Sequence, residues 1–430
     1  MEMEADTLSP SKLLKTIIKY MVTFAVTAVV LLGLLCLAAK LPKEMIKTHT
    51  LESAEYLYGK ELYGNVIEIA DSSCIDKYAD SILLNIAWNY DVRYPLRSVL
   101  LSAYCFTSDH AENENLLISV RDDMGPNQQY LRYWHGSIAI VRPLLSIMPI
   151  QGIYILNGIV LLGLFVSIMV MLTRMGEYVP AAGILLGVIM TSWCFVPFSL
   201  EYTWVCLVSL IACLVIISLS NRGKDNLYGL FFLITGMVTI FLDFLTTETL
   251  TLLLPLLILL WIERKKKQTV YTAVASTVSW GIGYVLMWVL KWVLTGLVFH
   301  ENVLPYVSGH IEERLGGSLG ISLPKYLFGA VSKNIGVMFP ADYGIPGTII
   351  SIVMVIGAVC FGVRFRRKVF DKKLVLVIAL LGLMPFIRFL ILHNHSYRHY
   401  FFVHRALAAT VLAVVLIFGE VTGFDFRKKR

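Results

Sequence analysis

Residues 17–39 read IIKYMVTFAVTAVVLLGLLCLAA, an apolar run in which Lys19 is the single charged residue. At about 1.5 Å per residue, a helix of this length spans the roughly 30 Å hydrocarbon core of a bilayer. The run is too long for the apolar part of a cleavable signal peptide. We therefore interpret it as a signal anchor.

The whole chain has the composition of a membrane protein. Of its 430 residues, 57% are hydrophobic and 16% are charged, whereas soluble domains average about 45–50% apolar and about 25% charged residues. A membrane β-barrel would show alternating segments of about ten residues instead of continuous apolar runs. These features exclude a soluble enzyme and a disordered chain, and they predict an all-α polytopic membrane protein.

Ten apolar runs are interpreted as crossings. They cover residues 17–39, 152–173, 179–198, 202–220, 227–242, 248–262, 271–296, 345–363, 373–392 and 401–420. The crossings divide the chain into an N-terminus with the first helix (1–39), a large first loop (40–151) and the remaining helices (152–430), with further loops at 298–344 and 393–400. Within the large loop, residues 78–106 predict two helices, broken at Pro95, that lie along the membrane surface.

Lys and Arg are concentrated in the loops on one side of the predicted bundle. The largest clusters are residues 264–267, 364–373 and 427–430, while the short loops on the opposite side carry few basic residues. Cytoplasmic loops carry such an excess, so both termini are predicted to be cytoplasmic and the large loop to lie outside. The net charge of +7 is therefore a topology signal, and we expect no nucleic-acid partner.

The unusual polar residues lie on the side opposite the basic loops. The candidates are Asp76, Asp80, Arg132, His135, Arg142, Asp243, Arg388, His395, Arg398, His399 and Arg405. Ionisable groups at the edges of apolar spans usually pair with one another or line a polar cavity. Cations at this depth fit the phosphate of a lipid anchored in the bilayer. A carboxylate beside them could take a proton from an acceptor hydroxyl.

Several of these residues allow a structural interpretation as well. Asp76 and Asp80 are four residues apart, so on a helix they would share a face and one could have a raised pKa. Asp76 could equally cap a helix that begins at Lys77. Arg132–Gly136 could hold a headgroup or belong to an interfacial aromatic belt, and Arg388 could pair with an acidic side chain for packing.

Metal binding is the weaker interpretation of the histidines. His395 and His399 have the spacing at which two imidazoles can share a divalent ion, but this spacing is common by chance. We assign no metal and no cofactor. Glu201 and Glu248 are interpreted as loop residues.

Four stretches carry a resemblance to a known group of proteins. They are Asp76–Asn85, Arg132–Gly136 with Arg142-Pro143, Phe241–Thr246 and His393–Arg398. Together with the single first span and large outer loop, they resemble GT-C integral-membrane glycosyltransferases, in particular bacterial ones from surface-polysaccharide gene clusters. The resemblance implies a GT-C-like fold in the bacterial cytoplasmic membrane and an extracytoplasmic active site. It also implies a catalytic Asp or Glu in the first outer loop, which we carry onto Asp76, with Asp80 second.

The expected function is transfer of a sugar from a polyprenyl-phosphate donor to a glycan, lipid or protein acceptor. Arg398, Arg405, Arg142 and Arg388 would hold the phosphate, and membrane lipid would surround the protein. Three alternatives remain: a transporter or flippase for lipid-linked glycans, a polymerase or ligase acting on them, and a scaffold without catalysis. A transporter would place polar residues through the bilayer midplane, whereas these crossings are nearly free of charge away from one end.

Overall fold

The computed structural model describes residues 10–266, 268–303, 305, 308, 309 and 320–423. The basic residues Lys267 and 427–430, and residues 304, 306, 307 and 310–319 of the predicted loop 298–344, lie outside this set. The described α-helices include α1 (Pro10–Ala39), α2 (Lys43–Leu57), α3 (Lys77–Trp88), α4 (Pro95–Leu101), α5 (Glu112–Arg121), α6 (Ile138–Leu144), α7 (Ile150–Arg174), α8 (Tyr178–Met190), α9 (Leu200–Asn221), α10 (Tyr228–Leu242), α11 (Leu250–Ile262), α12 (Thr269–Phe299), α13 (Leu323–Gly336), α14 (Gly344–Arg364), α15 (Lys372–Ile391), α16 (His393–Arg398), α17 (Tyr400–Val403) and α18 (Leu407–Thr422). Strands β1 (Tyr63–Asn65) and β2 (Cys74–Asp76) form an antiparallel hairpin.

The chain is an all-α polytopic membrane protein. Among the described residues, eight helical stretches are long and apolar enough to cross a bilayer. They are Leu13–Ala39, Ile150–Arg174, Leu200–Asn221, Asp225–Leu242, Thr269–Phe299, Gly344–Arg364, Lys372–Ile391 and Tyr400–Thr422. Each corresponds to one of the ten predicted crossings.

The other two predicted crossings are shorter helices than the sequence suggested. In place of 179–198 and 248–262, α8 and α11 have 13 residues each, which is about 20 Å of helix against a hydrocarbon core of roughly 30 Å. The first is cut short because Ser192 has a left-handed backbone (φ 54°) and a 3₁₀ turn, Trp193–Phe198, follows. The second is cut short because Asp243–Thr249 runs irregularly before α11 begins.

Helix α11 is enclosed by its neighbours. All residues from Leu250 to Trp261 are buried, and α9, α10, α12, α15 and α18 pack against the helix. Irregular backbone at membrane depth is tolerated where protein surrounds it. The buried segment Asp243–Thr249 can therefore carry polar groups inside the bundle.

Residues 40–149 fold over one end of the bundle, which we call the loop end; the opposite end, where α7 ends at Arg174, we call the basic end. The helices α3 (Lys77–Trp88) and α4 (Pro95–Leu101) confirm the predicted break at Pro95. That the two helices lie along the membrane surface stays a prediction, but α3 is enclosed by protein. Residues 80–88 are all buried, because α2, α5, α6 and α9 pack around this helix.

Candidate functional site

Asp76 stands at the junction of the hairpin and α3. It is the last residue of β2, opposite Tyr63, and its side chain accepts a hydrogen bond of 2.8 Å from the backbone N–H of Ala79. The alternative that Asp76 caps a helix is therefore confirmed, with α3 beginning at Lys77. Asp76 is only 2% exposed, so the cap also fixes a buried carboxyl group in one orientation.

The Asp76 carboxyl group pairs with a second carboxyl group. Glu201, in the first turn of α9, donates a hydrogen bond to it. A hydrogen bond between two carboxyl groups requires that they share a proton. Burial raises the pKa of Asp76 to about 6, although the hydrogen bonds from Glu201 and from Ala79 lower it. Asp76 is then ionised at neutral pH, yet close to its protonated form.

Asp80 lies behind this pair. Its carboxyl group is fully buried and accepts hydrogen bonds from the Tyr154 hydroxyl and, at 2.8 Å, from the backbone N–H of Leu200. Burial raises the pKa of Asp80 to about 8. The carboxyl group ties α3 to the starts of α9 and α7. That Asp80 is the second candidate for the catalytic carboxylate stays a prediction.

A cleft at the loop end joins Asp76 to three histidines. It contains about 570 Å³ of empty space, open solvent at its mouth included, and its polar lining comprises Asp76, Glu201, His135, His395 and His399. Aromatic side chains form much of the remaining wall: Tyr63, Tyr78, Tyr130, Tyr133, Phe244 and Phe402. Among the described lining residues none is Lys or Arg. The sequence stretches around residues 76, 135 and 395 therefore meet here.

His135 is held by a strained turn. Its φ is 51°, a left-handed value that costs free energy in any residue with a side chain. The next residue must be glycine, because a Cβ on Gly136 would lie 2.3 Å from the Phe241 ring, and its N–H donates to the Phe241 carbonyl at 2.9 Å. Burial, with the nearby Lys291 ammonium, lowers the pKa of His135 well below its ordinary range. The predicted phosphate contact would thus come from a neutral imidazole.

His395 and His399 form a further part of the cleft wall. His395 lies in α16, and His399 directly follows this helix. The centroids of the two rings are 4.8 Å apart, and both rings contact Phe402. Within the described chain, no three His, Cys, Asp or Glu side chains are grouped so as to hold a metal ion.

Asp243 and Arg388 support the cleft from inside the bundle. Asp243 accepts hydrogen bonds from Leu245 N–H (2.9 Å) and from the Thr246 hydroxyl (2.5 Å), which hold Leu245 at a left-handed φ of 69°. Arg388 binds both oxygens of Glu248, at 2.9 and 3.1 Å, and donates to the Leu245 carbonyl at 2.8 Å. The packing interpretation of Arg388 therefore describes its contacts, and the predicted phosphate contact does not.

Four further predicted arginines lie outside the described cleft lining. Arg142 is buried and donates to the Ala38 carbonyl at 2.7 Å. Arg405 is buried, donates to the Ser72 carbonyl at 3.0 Å and lies 4.5 Å from the Tyr202 ring. Arg398 is exposed, and Arg132 lies over the rings of Tyr130 and Tyr133 that line the cleft.

Glu201 is the residue that sequence reasoning missed. Glu201 comes directly before the predicted span 202–220 and was therefore interpreted as a loop residue. Its position directly before a strongly apolar span could have identified it, because ionisable groups at the edges of such spans usually pair or line a polar cavity. Comparison with family models, with curated proteins and with solved structures found no match, so the chemistry rests on these residues themselves.

Proposed function

We propose that the protein is a GT-C-like glycosyltransferase that moves a sugar from a polyprenyl-phosphate donor to a glycan, lipid or protein acceptor. The loop end would be the extracytoplasmic face of a bacterial cytoplasmic membrane. One observation carries the proposal: a buried carboxyl pair, Asp76 with Glu201, lines the same cleft as His395 and His399 at the loop end of the bundle.

Asp76 is the proposed general base. Its pKa of about 6 leaves it ionised at neutral pH and able to accept the proton of the acceptor hydroxyl as that oxygen attacks the sugar. Glu201 orients the carboxylate through its hydrogen bond. The bond between the sugar and the phosphate oxygen breaks, and the phosphate departs on its lipid.

The remaining cleft residues suit the two other requirements of the reaction, which are binding of the sugar and stabilisation of the departing phosphate. Tyr63, Tyr78, Tyr130 and Tyr133 offer flat apolar faces with hydroxyl groups for a sugar. His395 and His399 can donate hydrogen bonds to the departing phosphate, whose developing charge needs donors fixed in advance. In this proposal the histidines take over the role that the sequence assigned to the arginines.

Mass spectrometry of lipid-linked and surface glycans tests the proposal in cells carrying wild type or Asp76→Asn. Asparagine also caps helices, so the variant should insert normally while losing the base. We expect one sugar addition to be lost. The exposed Asp109 of the same loop provides the matched control, and Asp109→Asn should leave the glycans unchanged. If inserted Asp76→Asn leaves every sugar addition intact, the assigned base is wrong; accumulation of complete lipid-linked glycans would instead identify a polymerase or ligase.

A further inference from the structure

A second depression lies at the loop end and shares the β1–β2 hairpin as a wall with the cleft. It holds about 940 Å³ of empty space, open solvent included. Its lining includes Lys60, Lys77, Glu61, Val66, Tyr154 and Phe198. We call it the lysine groove. Tyr63 and Asp76 of the hairpin line the cleft, whereas Gly64 and Ile75, their neighbours in the strands, line the lysine groove.

The described lining of the lysine groove carries more positive than negative charge. Neither Lys60 nor Lys77 forms an ion pair with any residue that the structure describes, and Glu61 is the one acidic residue in the described lining. The Lys60 ammonium lies 3.0 Å from the centre of the Tyr56 ring. Burial lowers the pKa of Lys77, and the nearby Lys60 ammonium lowers it further, whereas the Glu61 carboxylate raises it. Two positive charges and one negative charge in the described lining of one depression favour a bound anion.

The groove continues onto an apolar surface. Tyr154 lies one turn into α7, which begins at the loop end with Ile150. Beyond it, Ile155, Ile159 and Leu162 are more than 60% exposed, on a helix of membrane-crossing length. Val66 and Phe198 are exposed at the groove itself. A ligand with an anionic head and a hydrocarbon chain would therefore contact charge and apolar surface together.

We propose that the lysine groove binds the phosphate of a membrane lipid in the leaflet at the loop end, with Lys60 and Lys77 on the phosphate and the chain along Phe198 and α7. Lysine is a common phosphate ligand. The site is separate from the carboxyl cleft and does not depend on the proposed transferase reaction. A bound lipid would stabilise the β1–β2 hairpin, whose last residue is Asp76.

Native mass spectrometry of the full-length protein in neutral detergent tests this proposal, with dipalmitoyl phosphatidic acid as the probe and the matching phosphatidylcholine as the zwitterionic control. We expect phosphatidic acid to be retained over phosphatidylcholine. The variant Lys60→Gln/Lys77→Gln should weaken retention roughly 10- to 30-fold, since each lysine near a lipid phosphate contributes about 1 kcal/mol. The exposed lysines of the control variant Lys40→Gln/Lys47→Gln belong to the same end of the molecule, and their loss should change retention less than twofold.

Two results would overturn the assignment. One is equal loss of phosphatidic acid from both lysine pairs, which would indicate unspecific attraction to positive charge. The other is competition by inorganic phosphate at the lipid's own concentration, which would indicate a site for the free anion. Asp76→Asn should retain the lipid as wild type does, so failure of the transferase proposal and failure of the lipid site give different results.

Discussion

Acidic side chains have different partners at the two ends of the bundle. At the basic end, Glu177 pairs with Arg264 at 3.2 Å and Asp225 pairs with Lys266 at 2.7 Å, all partly exposed. At the loop end, Asp76 pairs with the acid Glu201 and both are buried. The first arrangement joins neighbouring loops by ordinary ion pairs. The second leaves a carboxylate that can change its protonation near neutral pH, which is what proton transfer requires.

The loop end also contains a buried ion pair, Glu248 with Arg388, whose side chains are only 8% and 6% exposed. It holds the irregular backbone of Asp243–Thr249 in place behind the cleft through the Leu245 carbonyl. The contrast between the ends therefore has two parts: burial, and the identity of the partner.

The largest effect is expected from Arg388→Met. Removing one partner of a buried ion pair leaves an uncompensated charge and costs about 3–5 kcal/mol. Arg264→Met, in the partly exposed pair, should cost about 0–1 kcal/mol. Denaturant unfolding in detergent, followed by tryptophan fluorescence, measures both. The double variant Glu248→Gln/Arg388→Met should recover at least half of the loss, because neither charge of the pair remains. Equal losses for the two arginine variants would contradict the contrast.

The next effect concerns the pH dependence of the proposed transfer. Protonated Asp76 cannot accept a proton, so the rate should fall about tenfold for each pH unit below about 6. Initial rates measured in proteoliposomes between pH 4.5 and 8 would show this decrease at low pH. Asp109→Asn should keep the profile and Asp76→Asn should lose it. A wild-type rate that is constant over this range would rule out Asp76 as the base.

Asp80 should make the stability of the folded state depend on pH. Its pKa is about 8 in the folded protein and near 4 in an unfolded chain. Between these values the folded state binds more protons, so the free energy of unfolding should decrease as pH rises from about 4 to 8. We expect Asp80→Asn to reduce that decrease by at least about 1.4 kcal/mol, the equivalent of one pKa unit. Asp109→Asn, at an exposed site, should leave the pH dependence unchanged, and an identical slope in Asp80→Asn would contradict the raised pKa.

The sequence predicted the membrane helices better than the site. Apolar runs report directly on burial in lipid or protein, and eight of the ten predicted crossings correspond to helices of sufficient length. The runs at 179–198 and 248–262 correspond to the shorter helices α8 and α11. Hydropathy did not reveal their length, because it does not distinguish a helix enclosed by protein, such as α11, from one that faces lipid. The capping role of Asp76 could be predicted because it depends on local backbone alone.

The site residues could be predicted as candidates, but their roles could not be assigned. Arg388 and His395 are close in sequence, yet the first binds Glu248 and the second lines the cleft. Which carboxylate Arg388 meets depends on the packing of α11 and α15, over a separation of 140 residues. Glu201 was missed for the same reason, since its partner Asp76 belongs to a different part of the chain.

The smallest effect, at the basic end, sharpens the comparison. The ammonium of Lys266 contacts both Asp225 (2.7 Å) and Glu263 (2.8 Å) and is 42% exposed. Lys266→Gln should lower the free energy of unfolding by less than about 1 kcal/mol, because water already screens the pair. Raising NaCl toward about 1 M, where the Debye length is near 3 Å, should reduce the difference from wild type further. The loss in Arg388→Met should persist at the same salt concentration, because Glu248 is shielded from ions by the protein around it. If salt reduced both losses alike, the Glu248–Arg388 pair would be accessible to solvent ions, and the separation between an enclosed loop end and a solvated basic end would fail.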